Sequence, residues 1–163
     1  MNNKRQESID KLRDLIQNVE TAMLTTIDDG VLRSRPMVTQ RTEFDGDLWF
    51  FTSSETHKVD EIMKDNRVNV SYASPDDNTY VSVSGRAEFS TDQNKIAELW
   101  DPIQTAWFPE GQNDPNLILL KINIEQAEYW DTTSNTFVEI AGFLKALATG
   151  KAADGGENEK IEL

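Results

Sequence analysis

The chain has 163 residues and a formal net charge of -13, with 16 lysines and arginines against 29 aspartates and glutamates. Such a surface repels nucleic-acid backbones and anionic membranes, so neither is an expected partner. The absence of cysteine excludes disulfides, thiolate catalysis and zinc-thiolate sites. Because we expect neither a signal peptide nor a membrane span, the sequence favours a cytoplasmic protein.

The length predicts one domain with its own hydrophobic core over residues 1–150. Apolar residues at helical spacing predict an N-terminal helix over residues 4–20 with one buried face. Residues 151–163 are polar and rich in glycine, so we expect a loosely held C-terminal tail.

Turn residues separate a series of short strand-like runs. Strands are predicted over 22–28 and 31–42, joined by Asp28-Asp29-Gly30, and a second hairpin turn at Asp45-Gly46 leads to a strand over 48–52. A helix over 56–65, a strand from 68 and a turn at 75–78 follow. Because hairpin turns join most consecutive strands, the pattern predicts an antiparallel sheet or barrel with peripheral helices.

The second half of the chain continues this pattern. A strand over 80–89 contains Gly85, a predicted bulge, and the capping box Ser90-Thr91-Asp92-Gln93 opens a helix to about residue 100. A loop over 101–116 leads to a strand over 117–124, which continues over 127–130 beyond a bulge. Further predicted elements are a short strand at 137–139 and a helix at 142–149.

A phosphate-binding site is predicted where the strand 48–52 ends. Thr52 and two serines are followed by Lys58 at the start of a helix, and Arg35 on a neighbouring strand adds a second cation. Hydroxyls, a lysine and the N–H groups of a helix N-terminus favour a phosphate group. His57, the single histidine, lacks the partners of a catalytic triad and is a weak haem-ligand signal, so exposure or phosphate contact is favoured. No metal-ligand spacing is present, and the acidic residues are interpreted as a solvated surface.

Aromatic residues surround this segment. Alternation places Trp49 and Phe51 on one face of their strand and Phe50 on the other, so one face is core and the other could carry a flat cofactor. Trp107 and Phe108 stand in a loop, where aromatic residues close a pocket or an interface.

Together these motifs resemble the general stress protein 26 branch of the pyridoxamine 5′-phosphate oxidase-related proteins, which are FMN-binding split barrels. Six segments carry the resemblance, in order along the chain: Arg35-Pro36-Met37-Val38, Trp49-Phe50-Phe51-Thr52 with Thr56-His57-Lys58, Asn66-Arg67-Val68, Gly85-Arg86-Ala87-Glu88, Trp107-Phe108-Pro109 with Gly111, and Ala127-Glu128-Tyr129-Trp130-Asp131.

The resemblance implies a six-stranded antiparallel split barrel that forms a homodimer, with FMN in a groove at the subunit interface. It implies that Arg35 and Lys58 hold the FMN phosphate with help from Thr56 and His57. The residues that it places around the flavin are Met37, Val38, Phe51, Thr52 and Tyr80. Trp107 is our candidate for a loop residue that the partner chain presents to the flavin.

The sequence departs from the true oxidases at two places. They have a lysine at the position of Gln40, and a stretch rich in arginine and histidine at the positions after Trp130, where this chain has Asp131 and no cation up to residue 135. We therefore expect an FMN-binding flavoprotein, with a flavin-dependent oxidoreductase activity other than pyridoxamine phosphate oxidation. The alternatives are a non-catalytic flavin carrier or sensor and a haem- or deazaflavin-binding split barrel. Catalytic residues, substrate and reductant stay open.

Overall fold

Seven strands and three α-helices make up the part of the chain that the computed structural model describes, residues 3–40, 44–131 and 157–162. The helices are α1 (Asn3–Ile16), α2 (His57–Lys64) and α3 (Gln93–Leu99). The strands are β1 (Thr21–Asp28), β2 (Val31–Val38), β3 (Asp47–Ser53), β4 (Arg67–Ser74), β5 (Thr79–Ser90), β6 (Leu117–Asp131) and β7 (Glu157–Glu162).

All seven strands belong to one antiparallel sheet. Six of them follow the order β2-β1-β4-β5-β6-β3, and β7 pairs with the second half of β6. The sheet curls into a half-barrel with the helices at its periphery, which confirms the predicted antiparallel split barrel. No helix among the described residues is long and apolar enough to cross a lipid bilayer.

The hairpin predicted at Asp45-Gly46 is wrong, because β2 and β3 stand at opposite ends of the strand order. β2 pairs with β1 through a tight turn in which Asp29 and Gly30 have φ of 48° and 79°, while β3 pairs with β6. Gly46 does adopt a positive φ of 110°, so the turn chemistry is present. A local turn signal predicts that the chain reverses direction, but it does not determine which strand β3 pairs with.

The bulge predicted at Gly85 is confirmed. Ser84 pairs with Gln126 and Gly85 with Ile124, so the extra residue of the bulge is Glu125 on β6. A Cβ atom at Gly85 would lie 2.2 Å from the backbone oxygen of Asn123, which explains the need for glycine at this close approach. The two predicted segments of β6 are therefore one strand that continues past the bulge.

The cap of α3 differs from the predicted capping box. Asp92 is the N-cap residue, and its carboxylate accepts from the backbone N–H of Asn94 at 2.9 Å and of Lys95 at 3.4 Å. Ser90 instead accepts from the backbone N–H of Asp92. Aspartate caps a helix as well as serine does, so the sequence identified the helix start but assigned the wrong capping residue.

The prediction of a loosely held tail is wrong for residues 157–162, which form β7. Ile161 of this strand packs opposite Ala127 and is buried in the main core. One apolar residue in a polar run is a weak sequence signal, yet the open edge of β6 supplies a full ladder of backbone partners. The strand predicted at 137–139 and the helix predicted at 142–149 lie outside the described residues.

Two hydrophobic clusters cover the two faces of β3. Phe50 belongs to the main core inside the half-barrel, together with apolar residues of α1, β1, β4, β5 and β6. Phe51 is buried in a second cluster beneath α3, against which Trp49 packs. The predicted alternation is confirmed, and both faces of this strand are packed.

Candidate functional site: a cation cluster at the start of helix α2

Lys58 is held over the end of β3 by two hydroxyls. Its ammonium donates to Thr52 Oγ1 at 2.9 Å and to Thr56 Oγ1 at 3.1 Å. Thr52 is a buried residue of β3, and Thr56 is the extended residue that precedes the first turn of α2. The strand, the turn and the helix start therefore fix the position of one cation.

Arg35 reaches the same helix from a different part of the sheet. Its Nη2 donates to Glu61 Oε2 at 2.8 Å and to Thr26 Oγ1 at 2.7 Å. Thr26 Oγ1 in turn donates to Glu61 Oε2 at 2.6 Å, and Arg33 Nη1 donates to Glu61 Oε1 at 2.8 Å. This network joins β1 and β2 to α2, which is how Arg35 approaches Lys58 although β2 and β3 are not neighbours.

The site carries an excess of positive charge, because Lys58 and Arg35 lie beside one carboxylate, Glu61, which also pairs with Arg33. Burial lowers the pKa of Lys58 below its ordinary value, the charge of Arg35 lowers it further, and Glu61 partly opposes this. A lysine with a lowered pKa carries its charge at a cost, which a bound anion would reduce. The arrangement therefore fits a negatively charged ligand group.

The structure gathers the predicted phosphate-site residues at this point. Thr52, Thr56, His57, Lys58 and Arg35 all belong to the end of β3, the start of α2 or the network below it, and His57 is the exposed first residue of the helix. Arg67 lies apart from this cluster in its contacts, because it is exposed and pairs with Asp65 at 2.5 Å.

The residues predicted to line a flavin lie in three different environments. Met37 is buried in the main core, and Phe51 is buried edge-to-face against Trp100 at a ring-centroid distance of 5.5 Å. Val38 and Tyr80 are exposed on the face of the sheet turned away from the main core, here called the outer face. Only these last two side chains are presented to a ligand or partner on that face.

Trp107 and Phe108, in the loop before β6, lie in different environments. Phe108 is 6% exposed and packs in the second cluster, so the expectation that it closes a pocket is wrong. Trp107 is 71% exposed, and its backbone N–H donates to the carbonyl of the buried Gln104. The loop thus presents one large aromatic side chain on a fixed backbone.

A separate cavity of about 320 Å³ lies between the end of α1 and β3. Two of its lining residues, Gln40 and Trp49, each have a buried side-chain N–H group without a hydrogen-bond partner. The cavity is lined by Arg13, Ile16, Gln17, Thr39, Gln40, Phe44, Asp47, Leu48, Trp49, Phe50, Tyr72 and Leu99.

Comparison with known proteins identifies the family. The family model for proteins like pyridoxamine 5′-phosphate oxidase matches residues 7–154. The chain belongs to the pyridoxamine 5′-phosphate oxidase-like family. Within it, the chain is similar to protein bli-3 of Neurospora crassa, with 30% identity over 90% of this chain and 76% of that protein. It is also 28% identical to general stress protein 26 of Bacillus subtilis, over 83% of this chain and 97% of the relative.

Solved structures of family members share the fold. A crystal structure assigned to general stress protein 26 from Jannaschia sp. CCS1 has a TM-score of 0.76 and 25% identity, and covers 97% of this chain and 99% of its own. The general stress FMN/FAD binding protein from Xanthomonas citri has a TM-score of 0.66 and 29% identity, over 77% of this chain and 89% of its own.

Sequence reasoning missed Glu61 and Thr26. The interpretation of the acidic residues as a solvated surface is wrong for Glu61, which is 5% exposed. Thr26 follows Ala22 and Leu24 at inward-facing positions of β1, so its alternation predicts a buried hydroxyl in need of a partner. No group of histidine, aspartate and glutamate able to hold a metal ion occurs within the described ranges.

Proposed function

We propose that this protein binds FMN and places the phosphate of the cofactor at the cation cluster where α2 begins. The observation that carries the proposal is the Lys58 ammonium, which Thr52 and Thr56 fix in place and whose pKa is lowered first by burial and then by the charge of Arg35. Arg35 adds a guanidinium, and the N-terminus of α2, which begins at His57, would add backbone N–H donors to a bound phosphate. The Xanthomonas citri relative that is described as an FMN/FAD binding protein supports a flavin as the ligand.

A homodimer with the flavin between subunits is part of the proposal. Val38 and Tyr80 are large side chains exposed on the outer face, and Trp107 is exposed on its loop. In the proposed dimer, a partner chain or a flavin ring covers these side chains. In this model Trp107 of one protomer contributes to the flavin site of the other.

A bound flavin would supply the hydride or electron chemistry of an oxidoreductase, while the protein supplies binding and orientation. The groups gathered at the cluster are cations and hydroxyls, which suit phosphate binding better than acid-base chemistry. A flavin carrier or sensor is therefore the second candidate. Reduction of the holoprotein by NADPH or NADH, followed by turnover of an electron acceptor, separates the enzyme from the carrier.

The absorption spectrum of purified protein tests the ligand first, because flavin bands support the proposal and a Soret band contradicts it. Titrations with FMN and riboflavin then test the cluster. Arg35→Ala and Lys58→Glu should each weaken FMN binding by about tenfold or more, since a charge-assisted hydrogen bond contributes roughly 1.5–3 kcal/mol. Riboflavin, which lacks the phosphate, should bind almost as it does to the parent.

Lys64→Glu is the matched control, because Lys64 lies on the same helix but is exposed at its far end. This variant should bind FMN like the parent. If Arg35→Ala and Lys58→Glu also bind FMN like the parent, the phosphate does not sit at the start of α2.

A further inference from the structure

Glu61 is a buried carboxylate that accepts hydrogen bonds from Arg33 and Arg35. Its negative charge also acts on Lys58, whose pKa it raises against the larger lowering effect of burial. We propose that Glu61 is the positioning residue of the phosphate site, which holds Arg33 and Arg35 together and fixes the direction of Arg35 beside Lys58. The inference rests on the proposed function, because it concerns how the same cluster recognises a phosphate group.

Both oxygens of Glu61 are used. Oε1 accepts from Arg33, while Oε2 accepts from Arg35 and from Thr26. Arg35 Nη2, Thr26 Oγ1 and Glu61 Oε2 form a closed triangle with sides of 2.6 to 2.8 Å. This triangle fixes one nitrogen of the guanidinium, and the planar group, with five N–H donors in all, is oriented as a unit.

The charges of Glu61, Arg33 and Arg35 depend on one another for stabilisation. Two guanidinium groups and an ammonium repel one another, and a carboxylate that is 5% exposed is costly to keep ionised without partners. Glu61 and the two arginines therefore stabilise one another. The effect extends to Lys58, whose pKa is lowered mainly by burial and further by Arg35, and is raised by Glu61.

Two physical effects of removing Glu61 have opposite signs, which makes the inference testable. If Glu61 acted only as a nearby negative charge, its neutralisation would strengthen phosphate binding. If Glu61 positions Arg35, its replacement by glutamine would weaken phosphate binding. Glutamine retains one acceptor oxygen and points a donor amide at a guanidinium, so one of the two arginines would lose its contact with residue 61. Arg33 would keep its ion pair with Asp28, 3.2 Å away, in either case.

The experiment measures dissociation constants of FMN and riboflavin for the parent, Glu61→Gln and Asp60→Asn. Asp60 is the matched control, because it is an exposed acid beside Glu61 on α2 and its change removes the same charge. We expect Glu61→Gln to reduce the preference for FMN over riboflavin by about fivefold or more, as for loss of a hydrogen bond to a charged group. Asp60→Asn should leave the preference unchanged or slightly raised.

A double-mutant cycle tests whether Glu61 affects phosphate binding through Arg35. In an Arg35→Ala background, Glu61→Gln should cause little further loss of FMN preference, because the group that it positions is gone. A preserved or increased preference in Glu61→Gln overturns the inference, and so do fully additive losses in the double variant. If Glu61→Gln does not fold, Thr26→Val is the alternative variant, because it removes one corner of the triangle. It should reduce the affinity for FMN, by less than Glu61→Gln would, and leave the affinity for riboflavin unchanged. An unchanged preference for FMN in Thr26→Val overturns the inference.

The outcomes for the two proposals are distinct. A parent protein that binds FMN no better than riboflavin contradicts the phosphate site itself. A parent that prefers FMN, together with a Glu61→Gln variant that keeps this preference, leaves the proposed function intact and removes only the role of Glu61.

Discussion

Arg35 on β2 and Glu61 on α2 form an ion pair with Nη2 and Oε2 2.8 Å apart. This contact connects an edge strand of the sheet to the helix that follows β3, the strand at the other end of the order. It brings cations from distant parts of the chain to one place, because α2 packs back against β1 rather than extending away from the barrel. The site therefore depends on the completed fold, although each of its residue types is visible in the sequence.

Lys58→Met should separate stability from ligand binding. The lowered pKa of Lys58 means that folding disfavours its charged form, so its charge reduces stability below the folded pKa. That cost disappears as pH rises from the folded pKa to the ordinary value of 10.5. At neutral pH the ligand-free variant should match the parent in free energy of unfolding to within about 1 kcal/mol, after loss of two hydrogen bonds to threonines.

The same variant should bind FMN about tenfold or more weakly. Denaturant unfolding of the ligand-free protein and FMN titration provide the two measurements, with Lys64→Met as the control for loss of a lysine on this helix. A Lys58→Met variant that is strongly destabilised and binds FMN normally would show that Lys58 is a structural residue.

Gly85→Ala should destabilise the protein by roughly 1–3 kcal/mol or more, as overpacking does. The added Cβ would lie 2.2 Å from the Asn123 carbonyl oxygen, and a backbone atom cannot move aside as a side chain can. Gly30→Ala is the comparison, since Gly30 has a positive φ but no atom within 4 Å of a Cβ there. That variant should lose only about 1 kcal/mol of backbone strain. Equal losses in chemical denaturation would argue against a steric cause at the bulge.

Ile161→Ala should lower the free energy of unfolding by roughly 2–5 kcal/mol, the usual cost of such a truncation in a core. Ile161 is buried against the main cluster, whereas its neighbour Lys160 is exposed. Lys160→Ala should change stability by less than about 0.5 kcal/mol. Thermal or urea unfolding measures both, and an Ile161→Ala variant as stable as Lys160→Ala would mean that β7 contributes little to the fold.

Trp107→Ala should weaken FMN binding or dimerisation without unfolding the barrel, because 71% of this residue is exposed. Phe108→Ala, one position further, should instead destabilise the fold by roughly 3–5 kcal/mol. Sedimentation equilibrium and FMN titration give the first result, and thermal unfolding gives the second. A monomer that retains bound FMN would contradict the shared site.

The holoprotein should not oxidise pyridoxamine 5′-phosphate at a useful rate. Gln40 stands where the oxidases have lysine, and the cavity that it lines also contains Asp47, whose pKa is raised mainly by burial. Arg13, which is the arginine among the described residues that line this cavity, already donates to the Phe44 carbonyl and to Asp10. A dianionic substrate phosphate would therefore be poorly compensated there. Steady formation of pyridoxal 5′-phosphate with ordinary saturation would refute this prediction.

The sequence predicted features that neighbouring residues determine, but not those that depend on contacts between distant parts of the chain. The β1–β2 hairpin follows from Asp29-Gly30, and the start of α2 from Thr56 and Lys58, because neighbouring residues determine both. The pairing of β3 with β6 depends on which strand completes the barrel, so the turn at Gly46 could not reveal it. The burial of Glu61 results from the contact of β1 and β2 with α2, which no local pattern encodes, so the sequence alone predicts a surface acid at this position.

The bulge at Glu125 divides one edge of β6 between two partners. Residues 117–123 pair with β3 and residues 126–131 pair with β7, while β5 pairs along the other edge on both sides of the bulge. Either short strand can detach without breaking the ladder of the other, whereas β5 can separate from β6 only if both halves open. Amide hydrogen exchange should thus resolve this strand into two local opening units on one edge and a single, slower unit on the other.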